Sequence, residues 1–445
     1  MDAQPLTLAD TVRYHMSTAE NPMEIGVLLR LADRMAPHTL EAFVTERLLR
    51  HARFRHTVRK PGWLALRPRW QAERGRDLSA HVTAMRAEPG LSEQALAHLV
   101  SDRLSQRLDF ARSPWHLELL PLSDGSSALL LRVQHCLADG RALVRLLSEL
   151  ADLPVAPPKT PEPARSRGRR RLARHMKPAQ LAREARALGA ALWHVLSMRD
   201  ERASPLHAAL SGKKLVAWSQ ALDLPRLTRT AAACGCHVTD LLLSAAAGAV
   251  ADGLRHAGGA VPDYVRALVP FAMAQGPGEL GNHYASVFVD LPTYRMAARL
   301  RVERVAAATR QLRDRSETRL TLALTGLSGV LAPSLMRALV DRFSRKASLV
   351  LSNVPGPSQR VALMGHEVRS IIVFAPPSGN MALSFTLFGY AGELRLGVQI
   401  DAAARLPPQR FSAGFERALR ELEAGQPAAV PTHVSAHLPT RDKHA

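Results

Sequence analysis

Between residues 128 and 150 the chain changes its pattern twice, and this constrains the fold more than any other stretch. Residues 128–133 read ALLLRV, an apolar run short enough for a strand buried on both faces. It runs straight into Gln134-His135-Cys136-Leu137-Ala138-Asp139-Gly140, and Leu143, Leu146, Leu147 and Leu150 then recur at helical spacing. Strand, turn and helix in that order imply a mixed α/β fold. They also place His135 at the end of a buried strand, on a loop facing a helix start, where rigid elements hold a side chain against a ligand.

A histidine placed in this way suits general-base chemistry. Neutral imidazole takes a proton from a hydroxyl near neutral pH, and no covalent enzyme intermediate is then required. Asp139 either reaches back to fix the loop or pairs with a remote arginine. Gly140 allows a tight turn into the helix. The string H-x-x-x-D-G is short enough to recur by chance, and most of the 18 histidines read as satisfied surface or core residues.

The rest of the chain continues the α/β pattern. Strands are expected at residues 25–31, 216–222, 265–270, 285–291 and 349–351, and helices at 40–50, 91–108, 224–233 and 239–254, the last capped near Thr239 or Asp240. Residues 296–319 read as a basic amphipathic helix. Residues 368–374, 381–388 and 393–400 read as a β meander, with a hairpin turn at 389–392. Five prolines in residues 154–163 exclude a helix there. The expected organisation is therefore a first domain at 1–153, a crossover at 154–213, a second domain at 214–425 and a disordered tail at 426–445. A length of 445 residues suits two domains of ordinary size.

Charge needs care. The net charge is +20, but 52 of the 59 basic residues are arginine, a bias that a GC-rich genome also produces. The local signal is sharper: residues 159–187 hold ten Lys or Arg against two Glu. This stretch is either a solvated crossover or a site that adheres to anionic lipid, where each charge gains about 1 kcal/mol. Aromatic residues make up 5% of the chain and no recognition motif accompanies the charge, which argues against nucleic acid.

Three cysteines and an opening without a secretory leader suggest a reducing, cytoplasmic setting. The longest apolar run, residues 241–251, is eleven residues, too short to span a bilayer, which takes about 20. It reads as a core helix, so any membrane contact is expected to be peripheral, at the inner face of the plasma membrane or on lipid inclusions.

Several blocks, in order, carry a resemblance. They are Leu8-Ala9-Asp10, Asn21-Pro22-Met23-Glu24-Ile25-Gly26, Arg53-Phe54-Arg55, Leu108-Asp109 through Ser113-Pro114-Trp115, and the QHCLADG loop. In the second half they are Val238-Thr239-Asp240-Leu241-Leu242-Leu243, Gly281-Asn282, Ser352-Asn353-Val354-Pro355-Gly356-Pro357 and Phe388-Gly389-Tyr390 with Gly392 and Asp401. Together they span about residues 5–425. The chain resembles the bacterial wax ester synthase/diacylglycerol acyltransferase family, of the CoA-dependent acyltransferase superfamily with its HHxxxDG hallmark.

The resemblance implies two chloramphenicol-acetyltransferase-like α/β sandwich domains with a channel between them. It further implies fatty-acyl transfer from acyl-CoA, as co-substrate and without a resident cofactor or metal, to diacylglycerol or a long-chain alcohol. His135 would be the base, Asp139 would orient the loop and Gly140 would shape it, with Gln134, Asp240, Asn282 and Asn353 in support. Gln134 stands where the family has its first histidine, and Thr239 where it has the asparagine of an Asn-Asp pair. Oxyanion stabilisation would fall to donors such as Gln134 or Asn282.

Other readings of single features stay beside this one. Cys136 is a thiol nucleophile or a small packed residue. Cys234-Gly235-Cys236-His237 is incomplete for a closed zinc site and reads as a reduced, buried pair. Asn353 supports the site or makes the turn before Pro355-Gly356-Pro357. The alternatives for the whole chain are a degenerate lipid-binding protein without chemistry, and acyl transfer or condensation from a carrier protein.

Overall fold

The computed structural model describes residues 4–60, 67–75, 77–86, 88–153, 186, 197–258, 261–272, 284–314 and 333–424. The first half runs β1 (Gln4–Pro5), α1 (Leu8–Met16), β2 (Glu24–Leu31), α2 (Pro37–Glu46), β3 (His56–Arg59), β4 (Arg69–Ala72), β5 (Val82–Ala84), α3 (Glu93–Ser105), β6 (Trp115–Pro121), β7 (Ser127–Gln134) and α4 (Gly140–Leu150). After the crossover come β8 (Lys214–Trp218), β9 (Leu222–Asp223), α5 (Leu224–Ala233), α6 (Val238–His256), β10 (Tyr264–Ala272), β11 (Tyr284–Pro292) and α7 (Ala298–Asp314). The chain continues with α8 (Pro333–Ser344), β12 (Leu349–Pro355), β13 (Ala362–Leu363), β14 (His366–Phe374), β15 (Leu383–Tyr390), β16 (Glu393–Asp401) and α9 (Pro408–Ala424).

These elements build two α/β layers, each a mixed or antiparallel sheet with helices packed on it. The first sheet has the order β13-β14-β2-β7-β6-β5. Successive side chains of a strand point to opposite faces, and here both faces are covered. Leu28, Leu130, Ile372 and Phe374 pack on Leu96, Val100 and Leu104 of α3, while Val27, Leu29, Leu129 and Val133 share a core with Val144 and Leu146 of α4. That double burial is why residues 128–133 read as an apolar run broken only by Arg132 rather than an alternating one. Helix α3 starts where Ser92 accepts the N–H of Ala95, a side-chain cap whose loss costs about 1 kcal/mol.

The second sheet has the order β11-β10-β12-β15-β16-β8, with β9 also on β16. Strand β12 is parallel to both β10 and β15. One face carries α6 and α9, with Leu241, Leu242, Phe411 and Phe415 packed against Leu383, Phe385, Leu396 and Val398. The apolar run at 241–251 is thus the core helix α6. Among the described residues no single helix is long and apolar enough to cross a membrane, although α5 and α6 together pass on composition despite a 94° bend.

The expected meander is not formed. Strand β14 leaves its sequence neighbours and pairs antiparallel with β2, Ile371 opposite Leu29 and Val373 opposite Val27, whereas β15 and β16 form a hairpin in the second sheet. The local alternation of residues 368–374 specifies a strand but not its partner. The partner is set by the free edge of β2, which β14 covers. Residues 361–374 therefore cross back into the sheet of the first half. The transfer is fastened where the sheets meet: Ser384 Oγ donates to the Ala375 carbonyl at 2.5 Å, and the Ala375 N–H donates to Thr386 Oγ1 at 3.0 Å. Gly397 is required beside them, because a Cβ there would overlap the Val373 carbonyl.

Smaller differences have local causes. The expected 40–50 helix ends at Glu46 and tightens into a 3-10 turn at Leu48–Arg50. Helix α6 is capped by His237, not Thr239, with Asp240 in its first turn accepting the His237 N–H at 3.0 Å. In the last hairpin the turn is Ala391-Gly392, both at positive φ, and Tyr390 stays in the strand. Most of the crossover, with the basic stretch at 165–177, lies outside the described residues. Its far end is held by Arg342 on Asp200 at 2.6 Å and by Glu201 Oε2, which accepts from Ser348 Oγ at 2.8 Å.

Candidate active site

Strand β7 delivers Gln134 and His135 to the junction of the two halves. The Gln134 N–H donates to the Pro114 carbonyl at 3.0 Å, and its side-chain oxygen accepts the Cys136 N–H at 2.6 Å. Its amide also reaches towards the Pro22 carbonyl at 3.4 Å. The His135 N–H donates to the Met23 carbonyl at 2.8 Å, and the residue is 8% exposed. Asp139 then caps α4, its carboxylate accepting the Ala142 N–H at 2.9 Å. The helix thus begins at Gly140, as a capping residue followed by leucine spacing requires.

The second half supplies the opposite wall. A Cβ on Gly140 would lie 3.0 Å from Cγ2 of Val354 on β12, so the bare backbone sets how closely α4 and β12 approach. The neighbour of Val354, Asn353, has its amide 3.5 Å from Thr239 Oγ1 at the start of α6, longer than a well-formed hydrogen bond. One residue on, Asp240 is buried and accepts the hydroxyl of Thr309 at 2.6 Å, tying α6 to α7. Gln134, His135, Asp139 and Gly140 therefore share one loop, with Val354 across from it, while Asn353, on the other face of β12, turns to Thr239 of α6. Asn282 lies outside the described residues.

Beside Gly140 lies an apolar slot between the first sheet and α4. The odd-numbered face of the first sheet forms its floor (Leu29, Leu129, Ile371), α4 its roof (Leu143, Leu147, Leu150), and Val354 and Phe388 of the second sheet close one side. Its lining is apolar throughout. Such a slot gains from burying hydrocarbon and offers nothing to a charged group.

Cys136 follows His135 but does not suit a nucleophile. It is fully buried, and burial, then the nearby Asp10 carboxylate, hold its thiol well above the ordinary range, with Arg53 offsetting part. Burial, followed by Cys234 and Asp240, pushes Cys236 up to about 11. Among the described residues no group of three or more His, Cys, Asp or Glu could hold a metal.

The segment 21–23 is a part of the site that sequence reasoning missed. The Asn21 amide donates to the carbonyls of Pro377 at 2.8 Å and Gly379 at 2.9 Å. Pro22 and Met23 then present their carbonyls to Gln134 and His135. Met23 is buried with φ at +52°, a conformation that costs a non-glycine residue about 1–2 kcal/mol. Its sequence signal was the block Asn21–Gly26, which carries part of the family resemblance but gives the segment no role in the site.

Comparison with known proteins agrees with this architecture. The sequence profile of the wax ester synthase/diacylglycerol acyltransferase catalytic domain matches residues 6–242, and that of the WS/DGAT C-terminal domain matches residues 280–423. The probable diacylglycerol O-acyltransferase tgs1 of Mycobacterium tuberculosis is 24% identical, over 94% of this chain and 93% of the relative. A putative diacylglycerol O-acyltransferase of Mycobacterium bovis is 23% identical, over 88% and 86%. Among solved structures, the wax ester synthase/diacylglycerol acyltransferase from Marinobacter aquaeolei VT8 superposes with a TM-score of 0.69 at 21% identity, over 95% of this chain and 99% of that one. The starter condensation domain of rhizomide synthetase, solved with C8-CoA and Leu-SNAC, gives 0.60 at 15%, over 95% and 94%. This chain belongs to the wax ester synthase/diacylglycerol acyltransferase family.

Proposed function

We propose that this protein transfers a fatty-acyl group from acyl-CoA to a lipid hydroxyl, that of diacylglycerol or of a long-chain alcohol. His135 takes the proton of the acceptor hydroxyl as its oxygen attacks the thioester carbonyl. The new ester forms as the carbon–sulfur bond breaks, and the proton passes to the departing thiolate. Asp139 holds the loop by capping α4, and Gly140 lets α4 pack closely on Val354 of β12 beside the slot. Holding both substrates in one water-poor junction supplies much of the acceleration.

The observation that carries this reading is the placement of the apolar slot. Gly140, at the end of the loop that begins with His135, lines it, and it runs under α4, so an acyl chain seated there lies beside that loop. The complex of a condensation domain with C8-CoA, on the same fold, supports an acyl-CoA donor. The basic residues at 165–177 would add an anionic membrane or lipid-droplet surface as partner.

The test is thiol release from palmitoyl-CoA by the purified protein, with dioleoylglycerol or hexadecanol as acceptor, beside His135→Ala. Acceptor-dependent release that vanishes in the variant is expected. Folded protein that releases no thiol with either acceptor would overturn the reading and leave a lipid-binding protein, or one that takes its acyl group from a carrier protein.

A further inference from the structure

Three leucines line the apolar slot under the C-terminal end of α4, and all three are tied to one polar knot. Helix α4 is about 15 Å long from Gly140 to Leu150, at 1.5 Å per residue. The slot therefore reaches Leu150, where Leu48 and Leu363 also line it. Leu48 follows Arg47, whose guanidinium donates to the Leu150 carbonyl at 2.8 Å and to the Asp152 carboxylate at 2.6 Å. Leu363 precedes the tight turn Met364-Gly365 between β13 and β14, with φ at +52° and +84°. The Asp152 carboxylate accepts both N–H groups of that turn, Met364 at 2.8 Å and Gly365 at 2.7 Å.

The knot is chemically strong for a group near the surface. Burial alone would raise the Asp152 carboxyl. The Gly365 N–H, Arg47 and the Met364 N–H outweigh it and hold the group below the ordinary range. The hairpin itself is held at its root by the Tyr390 hydroxyl, which accepts from the Val361 N–H and donates to the Val368 carbonyl, both at 2.8 Å. Its root belongs to the fold and its tip belongs to Asp152. Leu363, buried at 2% exposure, sits between them with its side chain in the slot. Beyond the knot the chain reaches Leu153, 77% exposed, so solvent lies immediately outside the plug.

We propose that Leu363, held in place by the Arg47–Asp152 knot, sets the longest acyl chain that the slot accepts. This rests on the reading of the slot as the acyl site. A chain running the length of α4 meets Leu363, Leu48 and Leu150 after roughly a dozen carbons. Further methylenes enter only if the β13–β14 turn is displaced. Each methylene that the slot admits contributes about fourfold in binding, so the plug appears as a break in an otherwise rising series.

The experiment measures kcat/KM for lauroyl-, palmitoyl-, stearoyl- and arachidoyl-CoA with the full chain and with Leu363→Ala, Leu363→Phe and Asp152→Ala. Leu363→Ala and Asp152→Ala are expected to raise the stearoyl-to-lauroyl ratio tenfold or more, and Leu363→Phe to lower it. Opposite shifts at one position cannot come from general loss of stability. An unchanged ratio in all three variants overturns the proposal, whatever their absolute rates. Should the wild type turn over no acyl-CoA, thermal protection by laurate, palmitate, stearate and arachidate reads the slot without catalysis. Protection that extends to longer acids in Leu363→Ala then upholds the plug while the transfer reaction fails, and a protection profile identical in the variant overturns the plug.

Discussion

The backbone N–H of His135 donates to the carbonyl of Met23, a buried residue held at a φ of +52°. The conformation of Met23 persists because its surroundings leave it no alternative. Its side chain packs among Val12, Met16 and Met336, and Asn21 fastens the turn to residues 377 and 379 of the second half. Replacing Asn21 by alanine leaves two carbonyls without their donor, at a cost of about 1–3 kcal/mol. A fall in melting temperature is expected, together with a lower kcat at nearly unchanged KM for acyl-CoA. A loss confined to KM would show that the turn supports binding rather than His135.

Gly140 faces Val354 too closely for a free side chain. In Gly140→Ala the helix backbone gains up to about 1 kcal/mol from the lost flexibility of glycine, which offsets the tight contact. Stability should stay within about 1 kcal/mol of the parent. The added methyl intrudes on the slot, so KM for palmitoyl-CoA should rise several-fold. Steady-state kinetics beside a melting curve separates the two effects.

Glu24 and His116, on the face of the first sheet opposite α4, oppose each other in pH. Burial pushes Glu24 up to about 7 from 4.5, and Arg132, 3.5 Å away, offsets only part of this. Its folded form therefore holds a proton that the unfolded form releases. Stability is present below 4.5 and is lost as pH rises towards 7, by up to about 3 kcal/mol. Burial, then Arg132, lowers His116 to about 4 from 6.5, so its contribution is lost as pH falls through that window. Glu24→Gln should melt higher than the parent near pH 8 and lose that advantage near pH 5. Equal melting shifts at both pH values would show that Glu24 does not titrate in this window.

Lys214 and Asp401 form a buried pair at 2.9 Å that joins the start of β8 to the end of β16. Burial lowers the lysine. It would raise Asp401, but N–H groups of Ser211 and Ala403 together with Lys214 hold that carboxylate below the ordinary range. Lys214→Met leaves Asp401 ionised without its cation, and a loss of about 3–5 kcal/mol is expected in denaturant unfolding. A loss below about 1 kcal/mol would mean that the backbone N–H groups suffice.

How much was legible follows from how local each cue is. The β7–loop–α4 unit is legible because strand, turn and helix signals lie within 25 consecutive residues, although the cap at Asp139 is not among them. The two-domain α/β architecture followed from the family blocks. Strand β14 was recognised as a strand, but its pairing with β2 is a contact over more than 300 residues that no local pattern encodes. The same holds for Asn21, whose partners are 356 and 358 residues away. The cap at His237 lies just before the Thr239 and Asp240 signals, because Asp240 acts from inside the first turn of α6 on the His237 N–H.

The crossing of β14 into the first sheet also orders the protein's birth. On the ribosome β2 and β7 emerge early, yet the edge of β2 has no mate until residue 374 has been made. During that interval an apolar strand edge stands open to other nascent chains. The first domain, though earliest in sequence, is among the last parts to be completed, so truncations short of β14 should yield aggregates rather than an isolated catalytic half.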